Sequence, residues 1–140
     1  MIYVFAALGG ALGALARWAI AEALPHSPGA WPWSTLLVNL VGCLALGALL
    51  AVLLARCPHS PWLRPFLAVG VLGGFTTYST FAMDVVRLTG SGHPVLAVAY
   101  VLASVLGGTC AVAAGLVSAR AAIRAAETVD AELRAGEGTS

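Results

Sequence analysis

The chain has 140 residues, of which 60% are hydrophobic and only 9% are charged, and its mean hydropathy is +0.93. A water-soluble domain carries about 25% charged residues, so lipid must solvate much of the surface of this protein. The formal net charge of +1 argues against a nucleic-acid partner, because no basic patch is large enough to neutralise several phosphates.

Four apolar stretches follow one another along the chain, at about residues 2–24, 34–55, 63–86 and 94–118. Each approaches or exceeds the roughly 20 residues that a helix needs to cross the hydrocarbon core of a bilayer. The short alternating segments of a membrane β-barrel are absent, and in lipid only helices then satisfy the backbone. The sequence therefore predicts an all-α membrane protein, with a four-span transmembrane domain at 1–118 and a charged C-terminal tail at 119–140.

The four-span arrangement places both chain termini on the same side of the membrane. Most arginine residues near span ends lie on that side, namely Arg56, Arg64, Arg120, Arg124 and Arg134. The other side has only Arg87 near a span end. The positive-inside rule therefore predicts cytoplasmic termini in a multi-pass protein of the inner (cytoplasmic) membrane.

Polar or small residues inside the first two spans each need a physical reason, because polar groups are expensive in lipid. Arg17 either extends its guanidinium to the interface or faces an aqueous vestibule. Gly9 and Gly13 form a pair of small residues four apart, which is typical of a helix-packing face. Asn39 carries an amide whose donors hydrocarbon cannot satisfy. It serves either as an interhelical hydrogen-bonding group or as a donor that lines a polar pathway.

The third span has the composition least suited to a regular helix in lipid. Gly70, Gly73 and Gly74 each weaken a helix interior by about 1 kcal/mol relative to alanine. A run of hydroxyl and aromatic residues follows at 76–80. We therefore predict a break in the third helix. Such a break would free carbonyl groups to coordinate a cation and would begin a second half-helix, whose N-terminus favours anions.

The fourth span carries a polar stripe of its own. Tyr100 and Ser104 lie four residues apart and share a helix face, as Tyr78 and Phe81 do on the predicted half-helix of the third span. One polar stripe usually reflects packing. Several stripes on separate spans together predict a narrow polar track through the protein.

Ionisable groups other than arginine lie in loops or toward the ends of the spans. His26, His59 and His93 fall in loops, where we expect them to be solvated. Glu22 and Asp84 lie near span ends, and Asp84 is predicted to be interfacial. No carboxylate at midspan is available for a proton relay. No nucleophile–base pair, metal-ligand set or cofactor motif predicts an enzyme.

Three motifs resemble those of a known family: GGALGALARW at 9–18, TLLVNLVG at 35–42 and GGFTTYSTF at 73–81. They look like the three signatures of the CrcB/Fluc fluoride channels, in the same order and over nearly the whole chain. The third motif is highly specific for that family. The resemblance implies a fluoride-selective ion channel that exports fluoride passively across the cytoplasmic membrane and so relieves fluoride toxicity.

The resemblance also implies an assembly and a set of site residues. Two subunits in opposite orientations would form an antiparallel dimer with two fluoride pores and a structural sodium ion, Na+, at its centre. The backbone carbonyls of Gly73 and Thr76 would hold that ion. Asn39 would donate to fluoride, and Phe81 would present the edge of its ring. The full implied pathway comprises Arg17 near a vestibule, Asn39, Tyr78, Ser79, Thr80, Phe81, Tyr100 and Ser104.

The sequence departs from the family in one motif position and in its charge distribution. Tyr78 stands where the family has phenylalanine, which adds a hydroxyl group beside the expected path. The concentration of arginine on one side does not suit a sequence that inserts in both orientations. The chain is therefore expected to form either an antiparallel homodimer or a heterodimer with an inverted paralogue, and the arginine bias favours the heterodimer.

Two other classes of membrane protein compete with a channel. A small four-span drug/proton antiporter would need a membrane-embedded carboxylate in the first span, where only Glu22 is present near the end. In a structural subunit of a larger complex, Asn39 and the third-span hydroxyl groups would serve only for packing. The purified protein would then transport no ion.

Overall fold

The structure is a computed structural model that describes residues 1–27, 29–56 and 60–137. Its elements in chain order are α1 (Ile2–Ala23), α2 (Trp33–Arg56), a π-helix (Arg64–Leu72), α3 (Gly73–Phe75), α4 (Tyr78–Gly90) and α5 (Pro94–Glu137). No β-strand occurs in these three ranges, and the predicted all-α class is confirmed.

Within the described part of the chain, four helical stretches are long and apolar enough to cross a membrane: Ile2–Ala23, Trp33–Arg56, Arg64–Gly90 and Pro94–Val129. The third of these contains the π-helix, α3 and α4. The outward faces expose large apolar side chains such as Leu12, Val69 and Leu102, as expected of surfaces that lipid covers. The prediction of a multi-pass membrane protein with four spans is thereby confirmed.

Glycine residues let α1 approach the third span backbone to backbone. A Cβ atom on Gly9 would lie 2.9 Å from the backbone nitrogen of Val71, and one on Gly13 would lie 2.7 Å from that of Phe75. A larger residue at either position would push the two helices apart. Gly9 and Gly13 therefore form a packing face, as their spacing predicts.

The second close pair of helices is α2 and α5, and α4 packs against α5. A buried cluster of Leu36, Leu88, Ala97 and Tyr100 joins α2, α4 and α5. The cluster lies at the end of the protein that holds the α1–α2 and α4–α5 connections, since it uses the start of α2 and α5 and the end of α4. The polar groups described below lie toward this end of the protein.

Between α3 and α4 the backbone leaves helical geometry for two residues. Thr76 has φ −72° and ψ 157°, and Thr77 has φ −147° and ψ 119°. The Thr77 side chain caps α4, because its Oγ1 accepts a hydrogen bond from the N–H of Thr80 at 3.1 Å. Helical structure thus ends at Phe75 and resumes at Tyr78.

The last helix, α5, is longer than a bilayer is thick. Its 44 residues run without interruption to Glu137, past the predicted domain boundary at residue 118. At 1.5 Å per residue it extends about 66 Å, roughly twice the thickness of a hydrocarbon core. Part of α5 must therefore lie outside the bilayer. The division into a channel domain (1–118) and a tail (119–140) stays a prediction, and residues 138–140 lie outside the described ranges.

Candidate functional site

The Asn39 side chain forms two hydrogen bonds with the backbone of one extended residue, Thr77. Its Nδ2 donates to the Thr77 carbonyl oxygen at 3.0 Å, and its Oδ1 accepts from the Thr77 N–H at 2.8 Å. The backbone groups released from helical pairing are thus satisfied by a side chain from another span. Because a primary amide has two N–H hydrogens, one Nδ2 hydrogen remains for another acceptor.

Side-chain hydroxyl groups also form hydrogen bonds at this extended segment. Thr77 Oγ1 donates to Thr80 Oγ1 at 2.9 Å and lies 3.3 Å from Ser79 Oγ. Thr76 Oγ1 donates to the Leu72 carbonyl oxygen at 2.8 Å. Thr77 is therefore fixed by Asn39 through its backbone and by the first turn of α4 through its side chain.

The carbonyl group of Gly73 loses the partner that a continuous helix would supply. The N–H of Thr77 would donate to it in an α-helix, but that N–H bonds to Asn39 instead. Gly73 is exposed, and a Cβ atom there would meet only the Ala68 oxygen, at 3.9 Å. Gly73 and Thr76 thus lie at an accessible helix end that offers carbonyl oxygen atoms, the ligand type that hard cations prefer.

A groove of about 320 Å³ lies beside the Asn39–Thr77 pair. We call it the aromatic groove, and its lining consists of Asn39, Cys43, Thr76, Thr77, Tyr78, Phe81, Ser104 and Val105. The Tyr78 side chain is 81% exposed, so the groove of a single chain is open to the outside of the protein.

Four aromatic rings extend from this groove into the protein. The ring of Phe81 has its centroid 5.9 Å from that of Tyr78 and 5.4 Å from that of Tyr100. Trp31 meets Tyr100 edge to face at 5.7 Å. Tyr100 is completely buried, and neither its hydroxyl group nor that of Ser104 has a hydrogen-bond partner within the described residues. Two buried hydroxyl groups are therefore left free near Phe81.

A second cavity, of about 460 Å³, lies on the other side of Thr77. We call it the entrance cavity, because four charged or titratable side chains, Arg17, His26, Asp84 and Arg87, line it together with Thr35, Thr77 and Thr80. Thr77 lines both this cavity and the aromatic groove. The extended segment therefore lies between two cavities whose linings each include several polar side chains.

Asp84 is buried in the wall of the entrance cavity, with 1% of its side chain exposed. Its Oδ2 accepts a hydrogen bond from Thr35 Oγ1 at 2.7 Å. Its Oδ1 has no hydrogen bond in the described structure but lies 3.6 Å from His26 Nε2 and 3.8 Å from an Arg87 nitrogen. The carboxylate is thus enclosed by protein, whereas the sequence predicted an interfacial position and gave it no part in the polar track.

Most of the predicted pathway residues are brought together around Thr77. Arg17 and Thr80 line the entrance cavity, whereas Asn39, Tyr78, Phe81 and Ser104 line the aromatic groove. Tyr100 lies behind Phe81 and lines neither cavity. Ser79 also lines neither, although its hydroxyl group lies next to that of Thr77.

Sequence reasoning gave no pathway role to Thr77, which lines both cavities, or to several polar residues of the entrance cavity, among them Thr35, Asp84 and His26. Thr35 lies in the TLLVNLVG motif that the sequence analysis identified. Its hydroxyl group at the start of that motif was the available signal. Asp84 and His26 lie at the end of a span and in a loop, where charged groups are usually solvated. His26 was expected to be solvated, but its side chain is 22% exposed and contacts Asp84. His59 lies outside the described residues.

Comparison with known proteins decides the family. The sequence model described as "CrcB-like protein, Camphor Resistance (CrcB)" matches residues 4–116. The chain belongs to the CrcB family. It is 44% identical over 119 residues to a protein of Bordetella petrii named "Fluoride-specific ion channel FluC", which covers 85% of this chain and 91% of the relative.

Two further relatives of this CrcB family member carry similar names. A "Fluoride-specific ion channel FluC 2" of Nocardia farcinica is 42% identical over 119 residues, 85% of each chain. One of Streptomyces avermitilis, also named "Fluoride-specific ion channel FluC 2", is 46% identical over 98 residues, which are 70% of this chain and 62% of the relative. The chain therefore spans less than two thirds of the length of the Streptomyces protein. The named relatives are ion channels rather than enzymes.

Proposed function

We propose that this chain is a fluoride-selective ion channel that exports fluoride passively across the cytoplasmic membrane and so relieves fluoride toxicity. The observation that carries the proposal is the meeting of the entrance cavity and the aromatic groove at Thr77, where the Asn39 Nδ2 donates to Thr77 and keeps a second hydrogen free. Membership of the CrcB family and the names of the relatives support fluoride as the ion.

The proposed route has one end in the entrance cavity, where the guanidinium groups of Arg17 and Arg87 attract anions. It passes the Thr77 segment and continues along the aromatic groove. Fluoride is small and strongly hydrated, so a pore must replace its water with hydrogen-bond donors. The free Nδ2 hydrogen of Asn39 and the unpartnered hydroxyl group of Ser104 supply such donors.

Aromatic edges complete the proposed route. The edge of an aromatic ring carries partial positive charge, which attracts an anion weakly without binding it too tightly to leave. The Phe81 ring lines the groove, and the ring of Tyr100 packs behind it. We also propose that the third span crosses the membrane as a broken helix, whose second half begins at Tyr78 with its positive dipole end toward the path.

A second chain in the opposite orientation would close the aromatic groove. In a single chain, Tyr78 and Ser79 are exposed at the start of α4, next to backbone that is not helical. Lipid does not tolerate irregular backbone unless protein covers it or it lines a cavity. We therefore propose an antiparallel dimer in which the partner covers Tyr78 and Ser79 and adds them to the pathway.

A structural Na+ fits the carbonyl groups at the end of α3. The Gly73 carbonyl is released from helical pairing and Gly73 is exposed, so both chains of a dimer could present this group at their interface. The carbonyl oxygen atoms of Gly73 and Thr76 would hold the ion. Bound Na+ would supply fixed positive charge that holds the two irregular segments together.

The partner is either a second copy or an inverted paralogue. Arg56, Arg64, Arg120 and Arg124 lie at one end of the protein, whereas Arg17 and Arg87 of the other end line the entrance cavity. This asymmetry favours a single orientation for the chain and hence an inverted paralogue as partner. Two numbered FluC relatives from one Streptomyces organism support such pairs. Full channel activity of the chain expressed without any relative would argue for the homodimer instead.

Fluoride efflux from liposomes tests the proposed function. The tagged chain is purified from its own host with any partner that stays bound, and efflux of fluoride and of chloride is recorded. We expect rapid, fluoride-selective efflux that needs no proton gradient. Asn39→Asp should slow it at least about tenfold, the effect of about 1.4 kcal/mol of added barrier, because the new carboxylate repels both fluoride and the Thr77 carbonyl. Phe81→Ile should largely abolish it.

Thr89→Val is the matched control for these variants. Thr89 is exposed near the end of α4, and its hydroxyl group bonds only to the Val85 carbonyl of its own helix. This variant should leave efflux unchanged. Unaltered efflux in both the Asn39 and Phe81 variants would remove the pathway proposed above, and efflux that depends on a proton gradient would indicate an antiporter.

A further inference from the structure

The connection between α1 and α2 brings a histidine onto the buried carboxylate of α4. His26 Nε2 lies 3.6 Å from Asp84 Oδ1, and both residues line the entrance cavity. The imidazole is largely covered, with 22% of the side chain exposed. A loop residue has thus been placed against a carboxylate that is itself almost completely removed from solvent.

Asp84 carries a negative charge that its neighbours balance only in part. Thr35 donates to Oδ2, but Oδ1 has no hydrogen bond within the described residues. Arg87 lies 3.8 Å from Oδ1, yet 58% of its side chain is exposed, so water screens much of its charge. The imidazole of His26 is less exposed to water than the Arg87 side chain. In its protonated form it is therefore the cation better placed to balance the charge on Oδ1.

The groups that face His26 come from every element around the cavity. Arg17 of α1 and Arg87 of α4 carry positive charge, Asp84 of α4 carries negative charge, and α2 contributes the hydroxyl groups of Ser34 and Thr35. From α5, the Tyr100 hydroxyl lies close to Asp84 and Thr35. Arginine keeps its charge throughout the physiological range, whereas an imidazole gains or loses its proton between about pH 5 and 8.

An unbalanced carboxylate is a barrier to an anion. Two like charges repel strongly where protein excludes water, and fluoride would pass the wall that contains Asp84 on its way to Thr77. A protonated imidazole at the position of His26 would donate a hydrogen bond to the free Oδ1 and cancel the charge. A neutral imidazole would leave the carboxylate negative.

We propose that His26 is a positioning residue of the fluoride entrance: in its protonated form it holds and neutralises Asp84, and fluoride conduction therefore falls as the pH rises. The inference rests on the proposed fluoride-channel function. His26 makes no contact with fluoride in this proposal, because its imidazole acts through the carboxylate of Asp84. The cell would gain faster fluoride export under acidic conditions, in which fluoride enters as neutral HF.

Single-channel current in planar bilayers tests this inference at pH 6 and pH 8. Current is the appropriate readout because HF is neutral and carries none. The wild-type current should be about fivefold larger at pH 6 than at pH 8, the change expected from about 1 kcal/mol of added repulsion. His26→Gln should give a current that is independent of pH and close to the wild-type value at pH 8. His26→Arg should give one that is independent of pH and close to the wild-type value at pH 6.

His93→Gln is the matched control, because His93 is exposed in the α4–α5 connection beside Gly29 and is not paired with Asp84 in the described structure. It should keep the wild-type pH dependence. A wild-type fluoride current that does not change with pH would overturn the inference, as would pH dependence that persists in His26→Gln or His26→Arg. If His26→Gln does not fold, His26→Arg alone decides. A wild-type protein without any fluoride current would instead refute the proposed function.

Discussion

Asn39 uses both polar atoms of its amide on a single residue, Thr77, which lies 38 positions further along the chain. This pairing confirms the interhelical hydrogen bonds of one interpretation that the sequence left open, and the pathway role of Asn39 stays a prediction. The amide does join two spans, yet it also lines the aromatic groove and keeps one hydrogen free. Structural and pathway roles are therefore compatible in the same side chain.

At the residue scale, the sequence indicated which polar side chain needs a partner more readily than it indicated which residue the partner is. Asn39 was identified because an amide inside an apolar stretch needs a partner. Asp84 was judged interfacial because it lies toward the end of its span. Its burial depends on contact with Thr35 and His26, from elements far away in the chain. Nothing in the local sequence of α4 carries that information.

Thr35→Val should destabilise the protein, because it removes the only hydrogen bond that Asp84 accepts in the described structure. Leaving a buried carboxylate oxygen without a donor costs about 1–3 kcal/mol. We expect a lower melting temperature in detergent, which Thr35→Ser should largely restore because serine keeps a hydroxyl group. Thr89→Val, at an exposed hydroxyl group, should change the melting temperature little. Equal stability of Thr35→Val and wild type would show that the carboxylate does not depend on Thr35.

At the scale of elements, the third span differs most from a regular helix. Its first part, Arg64–Leu72, is a π-helix, which the sequence did not predict. The glycine residues of the span were recognised as weak points, and α1 approaches the span closely at Gly9 and Gly13. Because π-helices are rare, an α-helix was the expected geometry for an apolar span.

Gly9→Ala should separate α1 from the π-helix, because the new methyl group would collide with backbone atoms of Phe66 and Val71. Overpacking of this kind costs about 1–3 kcal/mol. Gly10→Ala is the matched control, since a Cβ atom at Gly10 has no neighbour within 4 Å. It should be neutral or stabilising by up to about 1 kcal/mol, because alanine favours a helix over glycine. Thermal unfolding in detergent compares the two, and equal losses would contradict the close approach of these helices.

At the scale of the whole molecule, composition and hydropathy were enough to predict four membrane-spanning helices. Motif order was enough to predict the CrcB family. The alanine-rich tail from Arg120 onward predicts a short helix, and the structure shows this segment as a direct continuation of α5 as far as Glu137. The proposed dimer follows from a surface that one chain leaves exposed, at Tyr78 and Ser79.

The central claim is that the polar path at Thr77 conducts fluoride and excludes chloride. The most direct test is the reversal potential of the purified protein, with its bound partner, in a planar bilayer with fluoride on one side and an equal concentration of chloride on the other. If the pore is selective for fluoride, the current is zero only at a large applied voltage. This reversal potential is displaced toward the equilibrium potential of fluoride. We predict that displacement, whereas a reversal potential at zero millivolts would contradict the account.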